Sequence, residues 1–133
     1  MFVDTSFVVE LLRERSTGGK GPATSTLEAI QQVKLQMPLF VLCELHAGVA
    51  QARNPKNELE KLELLLEYFE TVYPGEAFAT TYGELELYLR RKGTPIPLMD
   101  LLIATLVKCH GVPILTRDID HFERVPGIVV ECF

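Results

Sequence analysis

The sequence contains no Cys-x-x-Cys pair. Its three cysteines, Cys43, Cys109 and Cys132, are odd in number and far apart, so neither a disulfide framework nor a thiolate zinc site holds the chain together, and buried reduced thiols are expected. There is no apolar run of about eighteen residues, the length needed to cross a bilayer. Asp4 interrupts the apolar opening before any basic leader, so a cytosolic protein with no membrane partner is expected. His46 has no second histidine at ligand spacing and is assigned a structural or exposed place. There is no excess of positive charge either. A formal net charge of −5 argues against indiscriminate nucleic-acid binding, yet it is compatible with a local site whose carboxylates hold cations.

What is present is a chain of 133 residues, 47% hydrophobic and 23% charged. Those proportions fit one globular domain, residues 1–133, that buries roughly two thirds of its unfolded surface. The apolar pattern alternates between short runs and helical periods. Met1 to Val3 is a strand, and Phe7 to Arg13 a helix capped by Thr5 or Ser6. Arg15 to Ser25, with three glycines and a proline, is expected to be a mobile loop, and its Gly-Gly-Lys-Gly lacks the strand-to-helix setting of a phosphate loop. Leu27, Ile30 and Val33 predict a helix over Thr26 to Leu35. Pro38 to Leu42 is expected as a second buried strand, followed by a helix from Cys43 to Arg53 with Glu44 in its first turn. A glutamate there could simply complement the helix dipole. A helix from Asn57, a short strand at Thr71 to Tyr73 and a helix from Glu76 to Lys92 come next.

Leu98 to Cys109 is apolar on every face, the mark of a buried helix. Asp100 in its first turn therefore needs a compensating cation or donor, because an unpaired buried carboxylate is costly. Val112 to Leu115 is a strand buried on both faces, after which the chain turns polar at Thr116, and Asp118 and Asp120 follow before Phe122. Asp118 could do no more than cap the helical turn towards Phe122. Ile128 to Phe133 is a last strand. This alternation predicts a three-layer α/β/α sandwich with a mainly parallel central sheet. Parallel strands would carry Asp4, Glu44, Asp100 and Asp118 to one carboxyl edge, where open α/β sheets keep their ligands. Carboxylates about 5 Å apart repel by roughly 3 kcal/mol per pair at an effective dielectric of 20. A divalent cation relieves that repulsion, and an all-oxygen donor set favours Mg²⁺, with Mn²⁺ as substitute.

Four spaced motifs, Val3-Asp4-Thr5-Ser6, Glu44-Leu45-x-x-Gly48, Asp100-x-x-Ile103-Ala104 and Leu115-Thr116-x-Asp118 before Phe122, resemble the PIN domain family, and within it the VapC-like ribonuclease toxins of toxin–antitoxin pairs. The resemblance runs over nearly the whole chain. It implies that Asp4, Glu44, Asp100 and Asp118 are a metal-binding catalytic quartet, with Thr5, Ser6 and Thr116 as polar support. It also implies an RNA substrate, a homodimer and a cognate antitoxin. The doubled acid at Asp118 and Asp120 leaves the fourth position open between them, with Asp118 assigned to the metal and Asp120 to the helix N-terminus or to outer support of the metal site. Arg13, Arg15, Lys20 and Arg117 are candidate contacts to a phosphate backbone. Two other readings remain: a haloacid-dehalogenase-like phosphatase, which would want a second aspartate where this chain has Ser6, and a non-catalytic PIN-like scaffold.

Overall fold

Two residues, Phe2 and Val3, form strand β1 (Phe2–Val3) at the middle of the sheet, and neither is exposed at all. The computed structural model describes residues 1–133. After β1 come α1 (Thr5–Ser16), α2 (Pro22–Ala29), β2 (Gln36–Pro38), α3 (Leu39–Ala50), α4 (Pro55–Leu66), β3 (Glu70–Val72), α5 (Phe78–Lys92), α6 (Leu98–His110), β4 (Ile114–Leu115), α7 (Ile119–Glu123) and β5 (Val130–Glu131). The strand order is β3-β2-β1-β4-β5 and every neighbouring pair is parallel. The α/β/α sandwich is thus as expected, with a sheet that is wholly parallel. No helix is long and apolar enough to cross a membrane.

This order fixes where a site can form. From β1 the chain crosses one way to β2 and later returns on the other side as β4, so the carboxyl ends of β1 and β4 flank the point where the strand order reverses. The register sets Phe2 beside Ile114 and Val3 beside Leu115, which leaves Asp4 level with Thr116. The core that holds these strands comprises Phe7, Val8 and Leu11 of α1, Val41 and Leu45 of α3, Leu62 and Leu65 of α4, and Ile103, Ala104 and Val107 of α6. Helix α6 is buried at six positions, Leu101 and Ile103 through Val107.

Several expectations are corrected. The apolar run Pro38 to Leu42 is not a strand: β2 ends at Pro38, and Leu39 already begins α3. Its continuous apolarity suits a buried strand and a buried helix start equally. Glu44 consequently lies in the second turn of α3, not the first. The expected loop Arg15 to Ser25 holds the start of α2, whose Pro22 occupies the first helical position, where a missing N–H costs nothing. The helix expected over Thr26 to Leu35 ends at Ala29. All three cysteines are free, and all are exposed instead of buried. Cys43 and Cys109 fall on the outer faces of α3 and α6, and Cys132 follows β5.

Glu14 explains the early start of α2. Its carboxylate reaches from α1 to accept bonds from the amide of Ala23 (3.0 Å), the amide of Thr24 (2.8 Å) and the hydroxyl of Thr24 (2.5 Å). A glutamate from a neighbouring helix thereby satisfies the free amides of a helix N-terminus. A Cβ at position 21 would stand 2.2 Å from Glu14 Oε1, so a larger residue there would have to push the Glu14 carboxylate aside from these bonds. Burial acts against ionisation of Glu14, but the bonds from Thr24, Ala23 and Gly21 prevail and hold its pKa below the ordinary 4.5. A depressed carboxyl pKa contributes stability that is present above 4.5 and lost as pH falls through the folded value. Glu14→Gln should therefore lower stability at pH 7 by about 1–2 kcal/mol, and the gap to the unmodified protein should close on acidification. Urea melts across the acid range measure this; a gap that widens on acidification contradicts it.

Candidate metal centre

Asp4 ends β1 and caps α1. It is buried, and its Oδ1 accepts bonds from the amide of Phe7 (3.2 Å) and the hydroxyl of Ser6 (2.6 Å), while Oδ2 accepts a short bond from the hydroxyl of Thr116. Thr116, fully buried, also accepts the amide of Asp118 at 2.8 Å. The amide of Arg117 donates to Ser6 Oγ at 3.1 Å. Hydroxyls from both strand ends thus join the carboxylate of β1 to the backbone that carries Asp118.

Asp118 occupies the N-cap position of α7 but makes no capping bond with its side chain. The capping role open to it from sequence is not the one it takes. Its carboxylate is about half exposed, and its Oδ2 lies 3.6 Å from His121 Nδ1. The same ring nitrogen lies 2.7 Å from Oδ2 of Asp100, which is held in the first turn of α6. Asp120 points elsewhere: 78% exposed, it pairs with Arg124 Nη2 at 2.6 Å. Arg124 in turn donates to the carbonyl of Pro95. Glu44 accepts a bond from Thr5 Oγ1 at 2.8 Å, which ties it to the residue after Asp4.

Burial raises the pKa of Asp4; bonds from Ser6, Thr116 and Phe7 oppose the rise, and the negative charge of Asp118 adds to it. Burial likewise raises Asp100, with His121 opposing and Asp118 adding. Asp118 is therefore felt by both of the other aspartates. One ligand atom each from Asp100, Asp118 and His121 lies within 4.8 Å of the other two, a spacing one cation can bridge. Carboxylate oxygens predominate in this donor set, and their mutual repulsion is what a divalent cation removes. The arrangement fits a metal ion.

His121 was not foreseen. The all-oxygen donor set expected from sequence acquires an imidazole at its edge. Asp118-x-x-His121 puts both side chains on one side of a helical turn, and that spacing was the signal. Glu10, whose side chain is 9% exposed, was also missed; it pairs with Arg13 and with Arg117 at 3.2 Å. His46 is exposed, as expected. The four candidate phosphate contacts are engaged within the chain: Arg13 and Arg117 with Glu10, Lys20 with Glu28, and Arg15 over the ring of Tyr68.

The family model described as PIN domain matches residues 1–128. The chain belongs to the PIN domain family. Ribonuclease VapC2 of Rickettsia felis is 32% identical to this PIN domain over 92 residues, 69% of each chain. The tRNA(fMet)-specific endonuclease VapC of Salmonella typhimurium is 31% identical over 92 residues, covering 69% of this chain and 70% of its own. Among solved structures, VapBC2 from Rickettsia felis, bound to a DNA fragment from its promoter, superposes with a TM-score of 0.90 at 25% identity, covering 99% of this chain and 97% of that one. Within its family this PIN domain groups with the VapC ribonucleases.

The raised pKa of Asp100 carries a sign that can be measured. A carboxyl whose folded value lies above the ordinary 3.8 favours the protonated form in the folded state. Without metal, the protein then gains stability as pH falls through the folded value towards 3.8, and ionised Asp100 weakens it at neutral pH. In EDTA at pH 7, Asp100→Asn should melt no lower than the unmodified protein, and its acid-side gain should be smaller. Calorimetry at pH 7 and pH 5 checks both, and a clear fall at pH 7 contradicts the assignment.

Proposed function

We propose that this PIN domain, read as one unit over residues 1–133, is a metal-dependent endoribonuclease that hydrolyses RNA phosphodiester bonds with Mg²⁺, or Mn²⁺ in its place. We further propose that it is the toxin of a toxin–antitoxin pair, a homodimer held in check by a cognate antitoxin. The observation that carries the reading is the cluster in which ligand atoms of Asp100, Asp118 and His121 lie within 4.8 Å of one another, beside Asp4 at the end of β1, which feels the charge of Asp118, with Glu44 tied in through Thr5. The names of the relatives support it, since two VapC proteins more than 30% identical to this chain are called a ribonuclease and a tRNA endonuclease.

In this reading Asp4, Glu44, Asp100 and Asp118 hold the cation and are the catalytic set. Bound there, Mg²⁺ would supply positive charge against the scissile phosphate and make an attacking water easier to deprotonate. Thr116 and Ser6 fix the rotamer of Asp4, and His121 orients Asp100 through its 2.7 Å contact. Such outer contacts set the direction of ligand lone pairs. The phosphatase alternative asks Asp4 to be a nucleophile. Both of its oxygens accept hydroxyl hydrogen bonds, which stabilise the carboxylate and blunt its attack, and Ser6 stands where a second acid would be needed. Asp120, occupied by Arg124, is left outside the metal set.

Purified protein should cleave RNA with Mg²⁺ or Mn²⁺ and stop in EDTA, and Asp4→Asn should lose about 100-fold or more in rate. Equal cleavage in EDTA overturns the proposal. The Mg²⁺ concentration for half-maximal cleavage should rise for Asp118→Asn and stay unchanged for Asp120→Asn. A larger rise for Asp120→Asn would move the fourth ligand to that residue.

A further inference from the structure

Beyond the acids themselves, the segment from Thr116 to Asp118 is held by a side chain that the proposed chemistry does not use. Strand β4 ends at Leu115, and the last ladder bond on this side runs from the amide of Thr116 to the carbonyl of Glu131 (2.9 Å). Asp118 then adopts φ −88 and ψ 51, neither strand nor helix, without a capping bond from its side chain. Between these two residues the Arg117 guanidinium leaves the site and runs back over α1. There Nη1 lies 3.2 Å from Oε2 of Glu10, and the guanidinium carbon stands 4.7 Å from the centre of the Phe133 ring. Phe133 meets Phe7 edge to face at 5.0 Å, and the amide of Phe7 is one of the donors to Asp4. The amide of Arg117 itself bonds to Ser6, another donor to Asp4.

We propose that Glu10, Arg117 and Phe133 form a clamp that positions Asp118 against Asp4, so that Arg117 and Glu10 are positioning residues of the metal centre. This rests on the reading of Asp4 and Asp118 as cation holders. Glu10 is the fixed half of the clamp, being almost fully buried on the inner face of α1, while Arg13, its other partner, is 69% exposed and lies on the solvent side. The planar guanidinium supplies the movable half, since one face can lie on an aromatic ring while its edge bonds a carboxylate. A substitution in the shell behind metal ligands ordinarily weakens metal affinity by about 10–100-fold.

The sign of the effect separates positioning from plain electrostatics. Arg117 carries a positive charge on the segment that bears Asp118, so through-space charge alone predicts unchanged or tighter Mn²⁺ binding in Arg117→Ala. The clamp predicts weaker binding. Mn²⁺ titrated into the full chain and followed by electron paramagnetic resonance gives the affinity without any cleavage assay. Melting in EDTA verifies that each variant is folded. Arg117→Ala and Glu10→Gln should each weaken Mn²⁺ binding by about tenfold or more. The double variant should be no worse than either single one, because both break the same clamp. Arg117→Lys, which keeps the charge but loses the fork, should fall between. If Glu10→Gln does not fold, the Arg117 pair decides alone. Unchanged or tighter binding in Arg117→Ala, while Asp118→Asn weakens it, overturns the clamp and leaves the metal reading intact. No Mn²⁺ binding by the unmodified protein overturns the metal reading and the clamp with it.

Discussion

Asp4 is a carboxylate taken out of water at the end of the central strand, and its three hydrogen bonds come from the start of α1 and the end of β4. Leaving such a group unpartnered would cost more than any of its bonds contributes. Residues 4 to 7 and 116 to 118 are therefore constrained together. The parallel register between β1 and β4 brings Thr116 level with Asp4, the amide of Asp118 follows on the same hydroxyl, and α7 then presents His121 to Asp100. The burial that penalises ionised Asp4 is also what makes a counter-cation favourable there. One constraint thus governs both the geometry of the strand ends and their electrostatic demand.

The parts of this arrangement that were legible in the sequence follow from short-range rules. A strand that stops at an acid, with a helix beginning at once, placed Asp4 and Asp118 at an edge, and the apolar surroundings of Asp100 made it an acid in need of a partner. The choice of Asp118 over Asp120 came from counting residues past Thr116, and the structure turns Asp120 outward onto Arg124. The β2 boundary failed because Leu39 to Leu42 is apolar whether it enters a helix or continues a strand. The start of α2 was hidden because its cap, Glu14, sits at the far end of another helix and no local pattern announces it.

Partners brought together from distant segments were the least visible. Glu10 falls in a helix that also carries exposed charges, and nothing near it in sequence reveals that Arg117 will cover it. His121 lies among acids and a basic residue in a stretch that resembles solvated surface. The cysteines were assigned to the interior on the general habits of thiols, whereas α3 and α6 turn Cys43 and Cys109 outward. Helical phase decided the matter, and that phase was set by where each helix begins.

The bond between Thr116 and Asp4 spans 112 residues, and β1 has no partner on that side until β4 exists. Contacts so remote in sequence form late, because most of the chain must be organised before they can close. During synthesis the first strand emerges early and waits with its acid uncovered, while Asp100, Asp118 and His121 are still to be added. The carboxylate group cannot come together on a ribosome until the residues through His121 have left it. A nascent copy is consequently unable to hold a cation at this edge, and whatever chemistry the edge supports must wait until His121 has been added and is free to meet Asp100.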